Sequence, residues 1–198
     1  METSMHVSLL LQSAIGWAFA ISLASKVFSV SRFRRFVATI TAFRILDARS
    51  SMPTAAALVG VEILIIALLL RRPGTWTTSI GLVAGIALLL AYSVALLSVL
   101  GRRLRIGCNC FGSSTDLVSG YDVARNGLLI SCGVGALLVG RHASGPLLFW
   151  PSLLSAAMGL ALVVVVINAR TLVETLLGSY SLDSPRVRDD HLSGAAHG

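Results

Sequence analysis

The chain has 198 residues, of which 55% are hydrophobic and only 13% charged, and it carries a formal net charge of +7. Its apolar residues come in runs of the length that a bilayer core of ~30 Å requires, ~20 mostly apolar residues per helix. That excludes an ordinary water-soluble domain and predicts an all-α fold, a helical bundle embedded in a membrane. The cations lie between the apolar runs, where they report topology and attraction to anionic lipid rather than nucleic-acid binding.

The first predicted span is 7–30. The residues before it, "METSMHVS", hold no Lys or Arg, and the run is longer than a typical signal-peptide core, so a retained helix is expected. Lys26 lies four residues from its end, about 6 Å deep at 1.5 Å per residue. It can snorkel to the headgroups or find a partner inside the bundle. Next comes "SRFRRFVATITAFRILDARSSMP", in which Phe33, Phe36, Val37, Ile40 and Phe43 recur at helical spacing. With Arg32, Arg35, Thr39 and Arg44 elsewhere around the wheel, residues 31–52 read as an amphipathic interfacial helix, the alternative being a solvated basic linker.

Pro53 marks the start of the second span, 54–70, since proline is accommodated in a helix's first turn. Glu62 is then eight residues in, about 12 Å deep. An intramembrane charge costs at least ~2.5 kcal/mol on insertion scales, so Glu62 should either meet Lys26 or be a protonated carboxyl hydrogen-bonded in the bundle. The third span is 76–100.

After it stands "RIGCNCFGSS", with Cys108 and Cys110 one residue apart. Arg102, Arg103 and Arg105 lie just upstream, and cations favour thiolate over thiol, the reactive form. Gly107 and Gly112 relax the backbone, and Phe111 supplies an apolar anchor. A disulfide between residues two apart is strained, because bridged Cα atoms normally lie ~4.4–6.8 Å apart, and strained exposed disulfides are the labile ones. Thiol-disulfide exchange is therefore one reading. Cu(I) held by the two thiolates is another, and an inert pair a third. A structural zinc site wants four ligands, and no histidine or third cysteine lies near.

The fourth span, 123–140, opens with "YDVARNGLL". Arg125 can anchor to phosphate, and Asn126 can hydrogen-bond across helices. Cys132 belongs to the row Cys132, Ala136, Gly140, small residues at four-residue spacing, and reads as a small buried hydrophobe. The fifth span is 146–168. The second and fourth spans are the weakest, which leaves a four-helix count as the alternative. Residues 1–170 form the membrane domain; 171–198 begin with a brief apolar turn and end in a polar segment expected to be flexible.

Whichever way the chain is inserted, the end of the first span, both ends of the 31–52 segment and the Cys-x-Cys loop share one side of the membrane. The connections on that side and the C-terminal tail hold twelve arginines against three on the other side, which favours an N-out, C-in orientation. Leaving out the four beside the cysteines reduces this to eight against three.

"GCNCFG" after a basic stretch, followed by a helix opening with "ARNGLL", resembles the MauE family of membrane proteins, relatives of the DoxX-like group. Ser25–Lys26 and Val61–Glu62 also match that family's pattern, and the similarity covers roughly residues 7–168. The resemblance implies a multi-pass protein of the cytoplasmic (inner) membrane that assists maturation of exported proteins. In the namesake the client is the disulfide-rich small subunit of methylamine dehydrogenase, with a thioredoxin-like partner. It makes Cys108 and Cys110 the redox pair, surrounded by Lys26, Glu62, Arg125 and Asn126. No resident metal is assigned, and a quinone is the candidate electron acceptor. An exported partner requires the loop outside, whereas the arginine count puts it in the cytoplasm, so the side of the loop stays open. The non-enzymatic alternative is a Cu(I)-binding or structural membrane assembly factor; a transporter lacks the paired broken helices that such folds use.

Overall fold

The computed structural model of the chain describes residues 2–42, 48–102, 119–141 and 149–182. Cys108 and Cys110, the cations Arg103 and Arg105, Phe43 and Arg44, and the tail from 183 onward lie outside the described residues. Helix α1 is Glu2–Val27, α2 Val30–Ala42, α3 Ala48–Leu69, α4 Trp76–Gly101, α5 Gly120–Gly140 and α6 Phe149–Leu182. Among the described residues all regular structure is helical, as the long apolar runs require, because in lipid each backbone polar group must be satisfied within its own segment.

Among the described residues, five helices are long and apolar enough to cross a membrane: Ser4–Val27, Arg49–Leu69, Trp76–Gly101, Gly120–Gly140 and Phe149–Ala169. This decides for five spans against four. Helix α1 stops three residues short of the expected Val30. The Ser29 hydroxyl accepts from Arg32 N at 3.3 Å and so caps α2 instead of extending α1. Helix α2 bears out the amphipathic segment over Val30–Ala42, with Phe36 buried and Arg32, Arg34 and Arg35 exposed, whereas 48–52, expected in the same helix, open α3. Thr39, expected on the polar part of the wheel, is buried and donates its hydroxyl to the Arg35 carbonyl at 3.0 Å.

Helix α3 begins at Ala48, so Pro53 lies inside it rather than opening it. Proline has no N–H to return to the carbonyl four residues earlier, a defect that a helix tolerates best close to its start. The turn between α3 and α4 uses Gly74 at φ 75°, a left-handed conformation natural to glycine. Thr75 then caps α4, its hydroxyl accepting from Thr78 N at 3.4 Å, while the Thr78 hydroxyl donates to the Arg72 carbonyl at 2.8 Å. At the head of α5 the Asp122 carboxylate reaches back to Ser119 N at 3.0 Å, the return bond of a capping box.

Helix α1 is the centre of the bundle and packs against α2, α3, α4 and α5. Its buried stripe runs Ser8, Gln12, Ile15, Phe19, Ser22, Lys26, alternating steps of four and three, with Ala14 and Ala18 on an adjoining face. The start of α6 is tied to it by two polar contacts: the Ser13 hydroxyl reaches the Ser155 carbonyl at 3.3 Å, and Trp17 Nε1 donates to the Ala156 carbonyl at 3.2 Å. Gly159 marks the closest approach of these helices, since a Cβ there would stand 2.9 Å from Ala14 N. The buried face of α5 is Asn126, Leu129, Gly133, Ala136 and Gly140. Thus the expected row of small residues is real but shifted by one position at its start. Gly133 replaces Cys132, which sits half-buried at the edge of the core as a packed hydrophobe.

Facing outward are Leu64, Val94 and Leu154, all more than half exposed, as a lipid-facing surface should be. The chain divides into two compact units, Met1–Ile167 and Asn168–Gly198. The second is helical over 168–182, where only a brief apolar turn was expected.

Candidate functional site

Lys26 stands one residue from the end of α1, and its Cα–Cβ bond, like every one in a helix, tilts toward the N-terminus. For this helix that direction is into the bundle, away from the headgroups. Lys26 does not snorkel: it is 1% exposed, and Glu62 is fully buried. The two form an ion pair through Lys26 Nζ and Glu62 Oε1. Both charges therefore meet inside the apolar bundle, the first of the two alternatives that their types and depths allowed.

The pair is finished by residues from three other positions. On α1, one turn before Lys26, the Ser22 hydroxyl accepts from Nζ at 2.9 Å and lies 3.2 Å from Glu62 Oε1, to which it can donate. From α4, Tyr92 donates its hydroxyl to the same carboxylate oxygen at 2.9 Å and stands 3.4 Å from Nζ. From α2, the Phe36 ring lies 4.8 Å from Nζ, and the Tyr92 ring lies 5.1 Å away on its own side. Two aromatic faces thus enclose the ammonium, a favourable arrangement for a desolvated cation. The amphipathic helix α2 is therefore more than an interfacial float, since it supplies one wall of the site.

All this density of contacts falls on one carboxylate oxygen. Glu62 Oε2 is buried and makes no hydrogen bond among the described residues. A buried acceptor without a donor is costly, and it is the atom on which a proton could be held or exchanged. Chemically the cluster is a neutralised charge pair with one spare acceptor: Lys26 stands one residue from the end of α1, Tyr92 nine from the end of α4, and Glu62 fourteen residues into α3 and seven from its end.

The other expected site residues are placed differently. Arg125 forms an ion pair with Asp122, one turn earlier on α5, at 3.4 Å. Asn126 is 2% exposed, with Oδ1 buried and without a hydrogen bond among the described residues. Neither bonds to Lys26 or Glu62, whose partners are Ser22, Tyr92 and Phe36. Cys108 and Cys110 belong to the connection 103–118, which joins the ends of α4 and α5 and lies outside the described residues.

Ser22 and Tyr92 escaped the reading of the sequence. Ser22 sits one helical turn before Lys26, the spacing at which two side chains share a face, and that signal was available. Tyr92 is the lone tyrosine of its span, and a buried phenol must find a partner.

A family model described as "Methylamine utilisation protein MauE" matches residues 4–140. No curated protein and no solved structure matches the chain.

Proposed function

The chain belongs to the MauE family, membrane proteins linked to methylamine utilisation, and from that premise we propose that it is a thiol-disulfide redox protein that assists disulfide formation or maturation of an exported partner. Cys108 and Cys110 are the reacting pair. The thiolate of one attacks the partner's disulfide, forming a mixed disulfide and releasing one partner thiolate. The second cysteine's thiolate then attacks that mixed disulfide, closing the Cys108–Cys110 bond and releasing the other partner thiolate. Two electrons pass to the partner, and the reverse sequence oxidises it.

The observation that carries this reading is the buried Lys26–Glu62 pair. Lys26 and Tyr92 lie in the halves of α1 and α4 nearer the side from which the Cys-x-Cys connection leaves, and Glu62 meets them from the interior of α3. A chain needing only a membrane anchor has no reason to desolvate two charges, since a buried pair is at best roughly neutral against apolar packing. Lys26 holds the Glu62 carboxylate in place through Oε1, and Glu62 Oε2 is the acceptor that can hold the proton a thiol releases. Both are positioning groups, with the sulfurs as the reacting atoms. The thioredoxin-like partner and the exported client belong to the same proposal.

The test is the in-cell redox state of the loop, by acid-trapping and mass-tag alkylation with and without prior reduction, in a Cys132→Ser background. Two tags that appear only after reduction show a Cys108–Cys110 disulfide, and Cys108→Ser and Cys110→Ser should then each abolish partner maturation. Two tags without reduction, or stoichiometric copper lost in both variants, would overturn the redox reading.

A further inference from the structure

At the opposite end of α1 from Lys26, a groove of about 660 Å³ opens between α1, α3 and the first turns of α6. Its centre on α1 is Gln12, fourteen residues before Lys26 and so roughly 21 Å away along the helix. Gln12 is only 4% exposed. Its Nε2 donates to two backbone carbonyls where α3 ends, Leu69 at 2.6 Å and Arg71 at 2.8 Å. Those bonds fix the amide, because a flipped side chain would set its oxygen against both carbonyls. Gln12 and Ser152 both line the groove, and the Gln12 oxygen and the Ser152 hydroxyl are buried behind its wall with no hydrogen bond among the described residues.

The groove has a direction. Gln12, Ser152, Arg71 and Arg72 lie at the level where α3 ends and α6 begins. Gly16 and Ala20 follow on α1, one and two turns deeper toward the membrane centre, and Trp17 and Ile66 complete apolar walls. A cationic and hydrogen-bonding mouth at the interface above an apolar trough is complementary to an amphiphile with an anionic head and a long chain. A quinone does not fit as well, since it carries no anionic group to meet Arg71 and Arg72.

We propose that this groove is a binding site for an anionic glycerophospholipid of the bilayer. Its phosphate is held at Arg71 and Arg72, and one acyl chain lies along Gly16, Trp17 and Ala20. The bound lipid fills the gap between α1, α3 and α6.

The experiment uses the full chain in detergent, with phosphatidylglycerol and phosphatidylcholine added in equal amounts and bound lipid read by native mass spectrometry. Phosphatidylglycerol should be retained about tenfold over phosphatidylcholine, and Arg71→Gln with Arg72→Gln should remove that preference. Gly16→Leu places a side chain in the trough where a Cβ meets nothing within 4 Å. It should therefore reduce bound lipid of both kinds at least about fivefold while leaving the thermal unfolding temperature of the lipid-free protein unchanged. Equal retention of the two lipids by the unsubstituted chain, undiminished retention in Gly16→Leu, or displacement of phosphatidylglycerol by millimolar inorganic phosphate would overturn the proposal.

Discussion

Replacing Lys26 by methionine keeps the length and most of the volume of the side chain and removes its charge. Glu62 is then left buried with only the Tyr92 and Ser22 hydroxyls as donors. Breaking a buried ion pair from one side typically costs about 3–5 kcal/mol. Since two donors to the carboxylate survive, the low end applies, about 3 kcal/mol or roughly a 150-fold change in the unfolding equilibrium. Glu62→Gln should cost less, about 2 kcal/mol, because the amide oxygen still accepts and Lys26 keeps the Ser22 hydroxyl and two aromatic faces. In the double variant neither charge is present to be stranded. Its destabilisation should fall short of the sum of the singles by about 1.5 kcal/mol or more. Titrating SDS into mixed micelles and following tryptophan fluorescence gives all four stabilities. Single effects that simply add, to within about 0.5 kcal/mol, would show that the two side chains are not coupled and remove the basis of the site.

Tyr92→Phe keeps the ring beside Lys26 and deletes the hydroxyl that donates to Glu62 at 2.9 Å. A loss of about 1.5–3 kcal/mol is expected in the same titration, the range for a hydrogen bond to a charged group, and no loss would mean that water serves the carboxylate equally well. Gly159→Ala would place a Cβ against Ser13 Oγ and 2.9 Å from Ala14 N. Backbone on the facing helix cannot step aside, so α1 and α6 must separate, at about 1–3 kcal/mol. Gly16→Ala is the internal control, because a Cβ there meets nothing within 4 Å and alanine favours helix, so stability should hold or rise slightly.

How far the site could be read from residue types depends on how unusual each type is in its setting. Lys26 and Glu62 stood out because a charge within an apolar run is rare and costly, and helix parity put them at related depths. The aromatic and hydroxyl partners did not, because Phe36, Tyr92 and Ser22 are common in and around membrane helices. Gln12 is an instructive omission: it is an amide within a span, just as Asn126 is, yet only the packing of α3 and α6 against α1 shows that it lines a groove. The small-residue row on α5 starts at Gly133, one position after the start that the four-residue spacing suggests. A spacing of four fits Cys132, Ala136 and Gly140, whereas the packed face steps by three and four through Leu129, Gly133, Ala136 and Gly140.

The sequence by itself determined the class of the protein, its apolar runs, its amphipathic segment and the presence of two charges within the membrane. Those properties follow from run length, helical period and the cost of desolvating ions, all of which are local. Tertiary structure alone decided that α1 is the central helix, that α2 folds its Phe36 over the ammonium, and that α4 contributes the phenol. It also decided which carboxylate oxygen is satisfied and which is spare. Such choices rest on the rotation and pairing of helices about one another, and in lipid no difference in hydrophobicity dictates them. They are set by where small residues let backbones approach and where a buried polar atom finds its partner.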